Sequence, residues 1–151
     1  MTEQGIARAL VEHELLEQAQ VDEVLIQQHR DRRPVAEIVA DRFGIDEHEV
    51  YQALAEQIIA AAPEVNLVTE ELQREALKQV TAREAWDYLL LPLRFEGEEL
   101  VCATTAETLP SALSLAQAEL KVPFRFVLSS VRPLEQFIAE RYEFEGVEIG
   151  E

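Results

Sequence analysis

Residues 5–28, GIARALVEHELLEQAQVDEVLIQQ, return in altered form at residues 34–57, PVAEIVADRFGIDEHEVYQALAEQ. Ile6, Ala7, Leu10, Leu16, Val21, Leu25 and Gln28 line up with Val35, Ala36, Val39, Ile45, Val50, Leu54 and Gln57, a repeat with a period of about 29 residues. Apolar residues at spacings of three and four mark each copy as helical. In the first copy Ile6, Leu10 and Val11 form one stripe and Val21, Val24 and Leu25 another, separated by a breaker at Glu17 to Gln20. In the second, Pro34 suits a first helical turn, Gly44 a stop, and Asp46 with Glu49 three positions on a capping box. Each copy is therefore helix, turn, helix. Neither pair can bury a core alone, so the pairs should pack on one another as a small bundle of four or five helices.

Beyond the repeat the pattern lapses at Ala60 to Asn66 and resumes over Thr69 to Lys78, which predicts a linking helix. From Trp86 the period changes. Tyr88 to Phe95, a turn at Glu96-Gly97-Glu98, and Leu100 to Thr104 read as a hairpin. Leu109 to Leu120 reads as a helix with Pro110 in its first turn, Val122 to Ser129 as a strand, and Val131 to Tyr142 as a helix opened by Pro133. The expected fold is α+β. A duplicated helical subdomain spans 1–62, a linking helix 63–84, a compact ββαβα subdomain with one sheet face covered by helices 85–145, and a frayed tail 146–151.

Composition narrows the function classes. The 151 residues carry 30 acidic and 13 basic side chains, a formal charge of −17. Such a field repels nucleic-acid backbones and anionic lipid, so neither is an expected partner. The charge reads either as a plain solvated surface or as complement to a basic protein partner. Cys102 is the single cysteine, so no internal disulfide can form, and between Val101 and Ala103 it reads as apolar filler. Glu3, Glu12 and Glu14 interrupt any apolar leader, and no run of residues matches a membrane span. A cytoplasmic protein is expected, peripheral at the inner membrane only through a partner.

Catalytic devices are missing from the sequence. No glycine-rich loop precedes a lysine as a phosphate cradle requires, and no Gly-x-Ser-x-Gly elbow exists. His13, His29 and His48 are too far apart to put two ligands on one helical face, and no second cysteine joins them. No cofactor and no metal are expected. One basic island, His29-Arg30-Asp31-Arg32-Arg33, lies between the repeats. It reads either as a polar interhelical loop or as an anion clamp, since planar guanidinium groups grip phosphate bidentately and stack on purines.

The duplicated unit ending in Leu-x-x-Gln, the Leu91-Pro92-Leu93 strand, the Val101 strand and the Ile138-x-x-Arg141-Tyr142 ending resemble, in order and from about Ile6 to Tyr142, the N-terminal domain of type II secretion and type IV pilus assembly ATPases. The resemblance implies a non-catalytic module whose partner is the cytoplasmic domain of an inner-membrane platform protein, or the motor ATPase itself, bound through the exposed side of the helical repeats. In one branch of that family each repeat opens Arg-Leu-Gly and binds cyclic di-GMP. Here Gly5-Ile6-Ala7 and Pro34-Val35-Ala36 stand at those positions, without the arginine or the glycine, which disfavours the ligand. Gln28 and Gln57 do match the closing glutamine of each unit, and Arg33 lies one position early. The alternative reading, a cyclic di-GMP sensor, would therefore use Gln28, Arg30, Arg32, Arg33 and Gln57. The family's small-x-Asp-Pro turn after the second strand is replaced by Thr104-Thr105-Ala106-Glu107.

Overall fold

A computed structural model describes residues 3–144. The tail expected at 146–151 lies outside them. The chain forms two compact units that divide after Ala61.

The first unit holds α1 (Glu3–Glu12), α2 (Gln18–Asp31), α3 (Val35–Phe43) and α4 (Glu47–Ala61). Each helix packs on its chain neighbour, and α1 also packs on α4, which closes a four-helix bundle. Repeat-matched residues are core in both copies: Leu10 and Val39, and Val21 and Val50, are all fully buried. Helices α2 and α4 begin at matched positions, Gln18 and Glu47. The breaker falls earlier than expected, because Glu17 and Gln20 form a reciprocal capping box that starts α2 at Gln18. Glu14 takes the turn in the left-handed region at φ 58°. Pro34 sits just outside α3 with extended ψ (141°), and Gly44 at φ 69° ends that helix with its N–H bonded to the Ala40 carbonyl. Asp46 caps α4 through the His48 N–H at 2.9 Å.

The second unit contains a 3-10 turn (Leu67–Thr69), α5 (Arg74–Leu77), α6 (Ala82–Tyr88), β1 (Leu91–Glu96), β2 (Glu99–Thr104), α7 (Leu109–Glu119), β3 (Phe124–Leu128) and α8 (Val131–Phe144). The strand order is β1-β2-β3. β1 and β2 form an antiparallel hairpin around Gly97 at φ 67°, and β2 and β3 run parallel through α7.

Two expectations are corrected here. No single linking helix spans 63–84, because this stretch is drawn onto the sheet margins. Leu128 N–H donates to Pro63 O at 2.8 Å and Val65 N–H to Leu128 O at 2.9 Å, which covers the β3 edge. Gln73 N–H donates to Leu93 O at 2.6 Å, and Phe95 N–H to the Gln73 Oε1 at 3.0 Å, which covers the irregular β1 edge. Each edge is thus partly occupied by this segment. Nor is the sheet covered on one face only, since Leu100, Val101, Cys102, Ala103 and Thr104 are all fully buried and so close off both faces of β2.

Candidate functional site

The basic island folds as the junction between α2 and α3. Arg32 ends α2 in the left-handed region (φ 54°), its N–H bonded to the Gln28 carbonyl at 2.8 Å. Its side chain is exposed. Arg30 is 75% exposed, with its Nε 3.8 Å from Asp31 Oδ1. Arg33 is engaged differently. Its Nη2 donates to Glu37 Oε1 at 3.1 Å and to Asp41, and its Nε to Glu37 Oε1 at 3.3 Å. The hydrogen bond to Asp41, then that to Glu37, holds its pKa above the ordinary arginine value. Two carboxylates one helical turn apart thus occupy the fork that would otherwise meet a phosphate. Gln28 and Gln57 lie half-buried on α2 and α4.

Sequence reading missed the ties between helices. Arg42 of α3 donates to Gln27 Oε1 and Glu23 Oε2 of α2, each at 3.3 Å, and its guanidinium lies 5.6 Å from the centroid of the Phe43 ring. His13, just past α1, lies 3.1 Å from Glu56 of α4. No local signal announces either pair, because the partners are far apart in sequence and meet only once the bundle closes.

In the second unit the polar chemistry is also internal. Arg94 donates to Glu70 at 2.9 Å and to Glu96 at 2.9 Å, and Arg125 donates to Glu96 at 2.5 Å and to Glu99 at 3.2 Å. The chain of charges ties β1, β2, β3 and the segment before α5 together. Hydrogen bonds from Arg125, then Arg94, hold the Glu96 carboxyl below the usual range. Thr105, 2% exposed, accepts from the Thr108 N–H at 3.1 Å and shares a hydrogen bond with the Thr108 hydroxyl at 2.6 Å. A threonine turn thus opens α7 where the resembled family has an Asp-Pro turn. Cys102 is fully buried and desolvation pushes its thiol pKa up, so it stays protonated and is a poor nucleophile.

Recesses open at two places among the described residues. One of about 570 Å³ opens at the α1–α2 turn beside Val11, Glu14, Leu15 and Glu17. The other, of about 330 Å³, is lined by Leu77, Val80 and Tyr142 with Arg74, Lys78 and Glu84. Among the described residues no group of three or more His, Cys, Asp or Glu side chains could hold a metal ion, and no helix is long and apolar enough to cross a membrane.

No protein-family model and no curated protein matches this chain. Solved structures do. A structure of MshE with cdg is similar to it at 21% identity and a TM-score of 0.47, over 91% of this chain and 97% of that one. Two crystal forms of the N-terminal domain of XpsE are similar at 15% identity, with TM-scores of 0.46 and 0.44, over 90% and 91% of this chain and 92% and 95% of theirs.

Proposed function

We propose that this chain is a non-catalytic protein-interaction module of the kind that stands at the N-terminus of secretion or pilus motor ATPases, and that it docks to the cytoplasmic domain of an inner-membrane platform protein. The observation that carries this reading is the closure of the tandem repeat into a self-contained bundle. Most of its matched apolar residues are buried in the core, and Arg42 with Glu23 and His13 with Glu56 pair across helices. What the bundle offers outward is helix surface, the form in which such a module meets another protein. The resemblance of the repeats, strands and final helix to that ATPase domain supplies the partner class.

The competing reading, a cyclic di-GMP sensor, loses its main donor at Arg33, whose guanidinium is already shared between Glu37 and Asp41. It also lacks the arginine and glycine that open each repeat in the nucleotide-binding branch.

Titration calorimetry of the purified chain with the cytoplasmic domain of a platform protein from the same genome should give a saturable complex. No heat and no co-elution up to high micromolar concentration overturns the docking reading. A thermal shift with cyclic di-GMP at a hundredfold excess over a micromolar dissociation constant separates the alternatives. A bound nucleotide would stabilise the fold by about 2.7 kcal/mol, and no shift is expected.

A further inference from the structure

The recess at the α1–α2 turn has walls that the duplication does not repeat. Leu15 N–H and Leu16 N–H both donate to the Leu10 carbonyl, at 3.0 and 3.3 Å, which draws the turn in against the end of α1. Leu16 is buried, while Val11 stays 37% exposed and Leu15 half-buried. Val11 and Leu15 therefore wall an opening of about 570 Å³ instead of joining the core. At the matched positions, about 29 residues on, the second copy has Ala40 and Gly44, a methyl group and a hydrogen in place of both walls. Glu14 is matched by Phe43, which is half-buried with the Arg42 guanidinium over its ring.

The charge at this opening is uncompensated. Glu14 and Glu17 line it, no basic side chain does, and neither carboxylate forms an ion pair among the described residues. His13, next in the chain to Glu14, is directed to Glu56 on α4 at 3.1 Å. Arg8, one turn before Val11, is matched in charge by Glu12 at i,i+4 spacing. Glu17 keeps its charge while holding the capping box with Gln20, which fixes that side of the rim. The arginines of the bundle, by contrast, stand against carboxylates of their own, Arg33 against Glu37 and Asp41 and Arg42 against Glu23. An opening of this volume takes a large side chain, and an anchor seated between apolar walls concentrates binding energy in one contact. Two unpaired carboxylates at its mouth, in a chain of net charge −17, select cations beside that anchor. We propose that the recess at the α1–α2 turn is where the module is gripped, and that it receives an apolar side chain flanked by Lys or Arg on the platform protein's cytoplasmic domain. The inference rests on the docking function proposed above.

Val11→Asp, Glu14→Lys and a control at the hairpin turn of the second unit, Glu98→Lys, give the test. Glu14 and Glu98 are both exposed, so the two lysine variants change net charge equally and should melt with the wild type. With the platform cytoplasmic domain as titrant, Val11→Asp should bind about thirty-fold more weakly or worse. Glu14→Lys should slow association and flatten its salt dependence, whereas Glu98→Lys should associate nearly as fast as wild type. Should Val11→Asp melt early, the comparison of the two lysine variants decides. Wild-type affinity in a folded Val11→Asp, or equal association rates for Glu14→Lys and Glu98→Lys, overturns the recess and leaves the docking function standing. Self-association of the wild-type chain that Val11→Asp abolishes gives the recess to a second copy and overturns the proposal as well. If the wild-type chain itself binds no platform domain, the function falls and the recess with it.

Discussion

Arg32 adopts a backbone conformation that suits glycine, φ 54° at the end of α2. A side chain there costs roughly 1–2 kcal/mol of crowding, partly offset by the freedom a glycine would lose on folding. Its guanidinium makes up none of that cost through the bonds that hold Arg33. Arg32→Gly is therefore expected to raise stability by about 0.5–1 kcal/mol in chemical denaturation, and a loss would mean that the arginine is held by its surroundings. Glu96 gives a pH-dependent prediction. Its folded pKa lies below its unfolded value, so its contribution is present above about pH 4.3 and disappears as pH falls through the folded value. Melting temperatures of wild type and Glu96→Gln should differ at neutral pH, begin to approach one another as pH falls below about 4.3, and meet only below the folded value. A gap that persists or widens in acid contradicts the pairing with Arg94 and Arg125. None of this was readable beforehand. The candidate arginines were identifiable by composition alone, but whether a guanidinium is free or clamped depends on Glu37 and Asp41 returning one and two turns later on α3, and Arg33 faces them.

Elements written in a single short-range code were legible in the sequence, and those that depend on the sheet were not. The repeat gave four helices because its apolar spacing, the Gly44 stop and the Asp46 cap are local. The linking segment failed for the opposite reason. Leu72, Ala76 and Leu77 have helical spacing, yet the Gln73 N–H goes to Leu93 and the Val65 N–H to Leu128, so strand-edge bonds outbid a continuous helix. Helix α6 has a full capping box at Thr81 and Glu84, but the apolar run that starts at Tyr88 continues into β1 and hides the helix end in the sequence. The end of α8 depends on one long-range bond. Tyr142 is 2% exposed and its hydroxyl donates to the Leu77 carbonyl at 2.8 Å, fastening α8 to α5 across 65 positions of sequence. Tyr142→Phe keeps the ring and removes the donor, leaving a buried carbonyl short of a partner. Unfolding should become easier by about 1–2 kcal/mol. Amide exchange should rise in α5 and the last turn of α8 before it rises in β2, and uniform loosening would mean that the bond is not what fastens them.

Over the whole molecule, charge is the property that separates partners. At −17 with a pI near 4.5, the chain repels phosphate at long range, but at physiological salt that field is screened within about 8 Å. Beyond that distance only local groups matter, so the exposed Arg30 and Arg32 decide whether a phosphate is held. Asp31 lies beside Arg30, and Glu37 with Asp41 on α3 neutralises Arg33. Retention on duplex DNA or co-sedimentation with phosphatidylserine vesicles is therefore not expected at about 0.15 M salt. Lowering salt to about 0.01 M should not bring either on, because the long-range repulsion then grows faster than any attraction by the island. Retention at physiological salt that Arg30→Ala with Arg32→Ala abolishes would reverse the assignment, since it could arise only if the two exposed arginines outweigh both their local carboxylates and the field of the rest of the chain.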